Sequence, residues 1–177
     1  MCKQCETKPV YEFTNQRKLC KTCFIKWFQK KVLYSIRKFK MISKGDIVGY
    51  DNKGRFREVV LEDVLKIFGK KAIVELVKLP NRNRINKIVI ASTTDLEADK
   101  IIHALIKNGK LSSAVEGKII KPLYLFLDKE VLLYAKLRNL KFKKTKQSKD
   151  KISKFIDELE KTHPEVKQAV VGSYLGN

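Results

Sequence analysis

No apolar stretch in this sequence reaches the ~18 residues that cross a bilayer, so the residues offer no transmembrane helix. The N-terminus has no secretory pattern either, because cysteines and lysines stand where an apolar h-region would lie. A cytoplasmic protein with no membrane partner is the expectation. Histidine is scarce: only His103 and His163 occur, both far from the cysteines. Cysteine is confined to four positions, and none follows Cys23. Acidic residues are the largest deficit, with 19 Asp and Glu against 39 Lys and Arg, a net charge of +20. Lysine-rich compositions from hot habitats usually raise glutamate as well, and here the acids do not keep pace.

What is present fits one ordinary domain of 177 residues with a short appendage. An apolar content of 44% supports a real core and excludes general disorder. A soluble domain of this size carries a net charge of roughly 2–8 in magnitude. The excess over that makes a polyanion the natural partner. Nucleic acid is favoured through counterion release, with an anionic membrane surface as the lesser alternative.

Cys2, Cys5, Cys20 and Cys23 form two Cys-x-x-Cys knuckles separated by fourteen residues. Such a turn aims two thiolates at one point, and two turns complete a tetrahedral site with no open position for catalysis. Structural zinc is expected; an iron–sulfur site and redox thiols or disulfides are the alternatives. The spacer contains Val10, Tyr11 and Phe13 and suits a short hairpin with Asn15-Gln16 near its tip.

Phe24, Phe28, Val32, Ile36 and Phe39 recur at spacings of four and three, which predicts a helix over 24–42. Its other face carries Lys26, Lys30, Lys31, Arg37, Lys38 and Lys40. A solvated lysine face is the plain reading; beside the knuckles and the net charge, phosphate contact becomes the functional one.

Residues 43–140 alternate buried strands with helices, predicting an α/β body with a parallel sheet. Strands are expected at 46–50, near Phe56, at 72–77 and at 87–91. Helices are expected from Glu58 to Phe68, ended by Gly69, from Leu96 to Lys107, and from Asp128 to Leu137. Beyond residue 140 comes a lysine run that includes Lys141, Lys143, Lys144 and Lys146. A last helix follows, with Ser148 as its expected cap and Pro164 as its stop. The expected division is therefore 1–42, 43–140 and 141–177.

The run Cys20-x-x-Cys23-Phe24 through Trp27-Phe28 to Ile36-Arg37-Lys38-Phe39 resembles the front of the cytosolic tRNA 2-thiolation proteins of the PP-loop ATP-pyrophosphatase superfamily. Ile90-Ala91-Ser92-Thr93-Thr94-Asp95-Leu96-Glu97 is similar to the family's A-T-G-H-N-x-D-D element. Lys121-Pro122-Leu123 with Glu130 and Tyr134-Ala135 is similar to its K-P-L…E…Y-A element. The resemblance implies a PP-loop (Rossmann-like) body behind an N-terminal zinc finger and basic helix, with tRNA as partner.

The departures point the other way for catalysis. The family's ATP loop, S-G-G-x-D-S, corresponds here to Gly49-Tyr50-Asp51-Asn52-Lys53-Gly54, with separated glycines and no serine. Of the paired acids only Glu97 is present, followed by Ala98. The central and late cysteines of catalytic members have no counterpart. The chain is also short between Val77 and Lys87, where the family has another α/β unit. The expectation is a shortened pseudo-enzyme: a non-catalytic, tRNA-binding subunit paired with a catalytic PP-loop thiolase. A stand-alone zinc-finger RNA- or DNA-binding protein and a diverged active thiolase are the competing readings.

Overall fold

The structure, a computed structural model, describes residues 1–72, 74–80, 84–144 and 150–174. The chain opens with a small knuckle. Tyr11–Glu12 (β1) and Lys18–Leu19 (β2) pair antiparallel, with Tyr11 opposite Leu19. Their turn closes through the Phe13 N–H to the Arg17 carbonyl at 2.9 Å, with Gln16 at φ 62°. This is the hairpin the sequence predicts.

Helix α1 spans Lys21–Lys38 and buries Phe24, Phe28, Val32 and Ile36, the stripe that its four-residue spacing demands. It begins earlier than expected and stops sooner. Lys40 takes a left-handed φ of 47°, and the Met41 N–H returns to the Ile36 carbonyl at 2.9 Å, a turn that satisfies end carbonyls. Lys40 therefore lies beyond the helix rather than on it.

Strands Ile47–Tyr50 (β3), Glu75–Lys78 (β4), Lys87–Val89 (β5), Val115–Glu116 (β6) and Ile119–Ile120 (β7) form a sheet in the order β4-β3-β5-β7-β6. The first four in that order are parallel, as the β/α alternation predicts; β6 adds an antiparallel edge. Among the described residues the remaining helices are α2 (Phe56–Ala72), α3 (Thr94–Ile106), α4 (Asp128–Leu137), α5 (Lys151–Thr162) and α6 (Val166–Gly172).

Three local expectations change. Phe56 does not lie in a strand but opens α2, because Arg55 makes only one isolated bridge, to Lys143. Gly69 does not end α2; a Cβ there would stand 3.1 Å from the Leu76 side chain. The residue is used for close helix–strand approach rather than as a stop. Ser148 lies outside the described residues, and α5 is capped by Asp150, whose carboxylate accepts the Ser153 N–H at 2.8 Å.

One hydrophobic cluster runs from Cys2 and Leu19 through Val48, Leu61 and Ile120 to Val171. Phe28 is central to it, with its ring centroid 4.2 Å from Tyr134 and 4.4 Å from Phe126. The Tyr134 hydroxyl donates to Asp63 at 2.9 Å and accepts from Gln29 at 3.1 Å, tying α1, α2 and α4 together. Among the described residues no helix is long and apolar enough to cross a membrane. The chain leaves β3 for β4 on one side, while β5 sits on the other. The C-terminal ends of β3 and β5 thus flank the switch point at which such sheets open a crevice.

Candidate metal centre and nucleic-acid interface

The four cysteine Sγ atoms all lie within 4.8 Å of one another. Cys5 is 3.3 Å from Cys20 and 3.6 Å from Cys23. Thiolates ~2.3 Å from one tetrahedral ion stand about 3.8 Å apart, so the donor set fits a single soft-ligand metal ion. Local folding explains the convergence. The Cys2 N–H bonds to the Thr7 carbonyl at 2.9 Å and the Glu6 N–H to the Cys2 carbonyl at 3.0 Å, which curls the first knuckle. The second knuckle is the first turn of α1, with Cys20 as its N-cap. The Thr7 hydroxyl, then the Cys23 N–H, pull the Cys20 thiol down to about 6. Burial, then the neighbouring sulfurs, push Cys23 up to about 12. Four thiolates cannot share this space unless a cation offsets their repulsion.

The basic residues sort into two groups. Lys26, Lys30, Arg37 and Lys38 are exposed on α1, with Lys40 exposed just past its end. Lys31 turns inward: its Nζ lies 3.7 Å from Glu130, 5.0 Å from the Trp27 ring centroid and 4.6 Å from that of Phe126. Burial pushes Lys31 down and Glu130 up, each only partly opposed by the other's charge. Lys31 thus joins α1 to α4 rather than facing solvent with its neighbours. Lys141, Lys143 and Lys144 are exposed, while Lys146 lies outside the described residues. The Lys143 N–H bonds to the Gly54 carbonyl at 2.7 Å, setting this basic stretch against the loop after β3.

That loop is closed by the chain's own groups. Glu58 accepts the backbone N–H of Lys53 at 2.8 Å and of Arg55 at 3.3 Å, together with the Arg55 Nε at 2.8 Å. The Asn52 side chain accepts the Gly54 N–H at 2.8 Å and donates to Glu62. Across the crevice, Arg57 forms a two-pronged pair with Asp128, its Nε at 2.6 Å, and Thr93 donates to the same carboxylate at 2.7 Å.

The neighbouring acids are also engaged. Glu97 is fully buried and meets Lys121 at 3.0 Å and Lys100 at 2.7 Å, with further bonds from Ser92 and Ser112. Burial works to raise its pKa, but Lys100, Ser112 and Ser92 prevail and hold it below the usual carboxylate range. Glu116 likewise resists burial and is held at about 2, chiefly by Lys121 at 2.6 Å. Lys167 contacts Asp95, Asp157 and Glu160 at 2.7–2.8 Å. These bonds overcome its burial and raise its pKa.

In the sequence Glu58 stands only as the start of a helix, although a signal for its role at the loop exists. It is the third residue of α2 and bonds back to the N–H before the helix, half of a capping box; Glu130 does the same for Leu127 at 2.9 Å on α4. Lys121 is marked only by its place in the Lys121-Pro122-Leu123 element, and no comparable local signal marks Arg57 or Lys167.

Among the described residues, a mostly parallel five-stranded sheet, six helices and an N-terminal four-cysteine cluster make up a mixed α/β fold. Among solved structures the chain is similar to the U34-tRNA thiolase NcsA from Methanococcus maripaludis, solved with its 4Fe–4S cluster. The TM-score is 0.79 at 18% identity, over 98% of this chain and 85% of that one. At this identity the likeness concerns the fold. No protein-family model matches the sequence, and no curated protein matches it.

Proposed function

We propose that this chain is a non-catalytic tRNA-binding subunit of a cytoplasmic wobble-uridine 2-thiolation complex. Its four cysteines hold structural zinc, and a catalytic PP-loop thiolase is its partner. The observation that carries the non-catalytic reading is the bond from Glu58 to the loop after β3. In phosphate-binding loops of this kind the backbone N–H groups are left for an anion. Here a carboxylate of the same chain takes that role. The Arg57–Asp128–Thr93 cluster fills the neighbouring side of the crevice with matched charge.

Zinc is supported over an iron–sulfur cluster by the spacing of the sulfurs, all within 4.8 Å. A four-iron cluster spreads its thiolates over separate irons, whereas one ion gathers them. Bound zinc would supply folding free energy to the knuckle and leave no position for substrate. The knuckle, the exposed face of α1 and the Lys141–Lys144 stretch then meet tRNA phosphates.

The net charge of +20 also suits a second reading, a stand-alone zinc-finger RNA- or DNA-binding protein. Co-expression of the chain with the catalytic thiolase of the same cell, followed by affinity capture, separates the two. Association, with loss of wobble thiolation on deletion of this chain, is the expected result. No association and intact thiolation would remove the subunit reading and leave the second.

A further inference from the structure

Between the first knuckle and α1 lies a groove of about 380 Å³ lined by Gln4, Lys26, Trp27, Lys30, Lys31 and Tyr34. Trp27, Lys30, Lys31 and Tyr34 follow the i, i+3, i+4, i+7 pattern and share one face of the helix. That face is aromatic and basic, unlike the apolar stripe of Phe24, Phe28, Val32 and Ile36.

Two rings are available there on different terms. Tyr34 leaves 56% of its surface in solvent. Trp27 is half-buried and fixed by its neighbours, edge-on to Phe13 at 4.7 Å, tilted on Phe24 at 5.3 Å and edge-on to Phe126 at 6.0 Å. Lys31 rests against the Trp27 ring, and Lys26 and Lys30 stand exposed beside it. Gln4 lines the groove from the first knuckle, between Cys2 and Cys5.

A surface that only binds phosphate has no use for an exposed ring, and an apolar peptide groove would not be walled by three lysines. Single-stranded nucleic-acid sites combine both features: cations track the backbone while bases stack on aromatic side chains.

We propose that this groove takes one unpaired nucleotide of an RNA. The base stacks on Tyr34 over the fixed edge of Trp27, the flanking phosphates meet Lys26 and Lys30, and the Gln4 amide faces the base edge. The proposal rests on the RNA-binding reading above and adds to it a preference for unpaired over duplex segments.

Trp27 is the only tryptophan in the chain, so its fluorescence reports on this groove alone. The test titrates the full-length, metal-loaded protein with an eight-nucleotide uridine-rich single strand and with an RNA duplex of similar length. Saturation with the single strand quenches Trp27 emission. Tyr34→Ala lowers single-strand affinity about tenfold and duplex affinity by less than about twofold, while Tyr34→Phe retains both. Unchanged single-strand affinity in Tyr34→Ala, equal losses for both RNAs, or unquenched Trp27 at saturation each overturn the groove while leaving RNA binding in place. A wild-type protein that binds neither RNA removes both the groove and the reading beneath it.

Discussion

Glu58 accepts the backbone N–H of Lys53 at 2.8 Å, so the loop after β3 closes on a carboxylate from its own helix. Because that carboxylate also caps α2 through the Arg55 N–H, structure and occupancy are coupled. The residue that accepts the loop's N–H groups is the one that caps the helix. Calorimetry with Mg-ATP should therefore show no binding to the wild-type chain, and micromolar affinity would put the diverged-enzyme reading ahead of the non-catalytic one. Glu58→Ala should lower stability by about 1–2 kcal/mol, as for loss of a helix cap and its hydrogen bonds. A shift in the urea midpoint at constant slope measures it; an unchanged midpoint means the carboxylate anchors nothing.

Cys20 is both a metal ligand candidate and part of the buried cluster that includes Leu19 and Phe24. Cys20→Ser should release the metal and loosen the knuckle, since binding there is folding free energy. Elemental analysis of the purified protein should find about one zinc per chain, and the variant should lose it together with part of its thermal stability. Several irons per chain with visible absorbance would instead indicate a cluster. A variant that keeps its zinc would contradict the ligand assignment.

The parts of the fold that were legible are those written in local periodicity. The Phe24, Phe28, Val32, Ile36 stripe marks α1, and the Asp128–Leu137 pattern marks α4 with both its ends. The parts misread are those in which a residue's role depends on a distant neighbour. Gly69 looks like a helix stop until Leu76 is placed beside it. Lys31 looks like one more member of the basic face of α1 until Glu130 is brought to it, and nothing local foretells that Lys121 meets Glu97 or that Lys167 meets Asp95 across 72 residues of sequence. Composition counts these lysines toward a polyanion partner; packing buries Lys121 and Lys167 and leaves Lys31 half-buried. The cysteine site was legible because its spacing is its geometry. The loop after β3 was legible only as a departure from the resemblance, and its closure could not be read until Glu58 was in position.

Acid should unfold this protein partly through the cluster around Lys121. Glu97 and Glu116 both titrate lower in the folded chain than their usual value of about 4.5, Glu116 at about 2. The unfolded chain therefore takes up more protons as pH falls. The stability these groups contribute is full above about pH 4.5 and is lost as pH falls toward about 2. Glu116→Gln should flatten that part of the stability–pH curve by on the order of 1–2 kcal/mol, allowing for screening at its partly exposed position. At pH 7, Lys121→Met should cost about 3 kcal/mol, because it strips the fully buried Glu97 of one of its two cations. Urea titrations across pH check both, and a Glu116→Gln curve parallel to wild type would remove this account.

Lys30 and Lys31 are adjacent in sequence and should fail differently. Lys30 is exposed on α1, whereas Lys31 faces Glu130, whose side chain is 2% exposed. If α1 meets RNA phosphates, Lys30→Ala should weaken binding and reduce the log–log salt slope by about 0.7–0.9, the value for one lost phosphate contact. Its melting temperature should not move. Lys31→Ala leaves the buried Glu130 carboxylate, which accepts from Tyr11 and the Leu127 N–H, without its cation, so it should lower stability by about 2–3 kcal/mol. Any change in RNA affinity would then follow the loss of folded protein. Filter binding at several salt concentrations, paired with thermal melts, reads both variants. Equal salt slopes for Lys30→Ala and wild type would take α1 out of the interface and leave the Lys141–Lys144 stretch as its carrier.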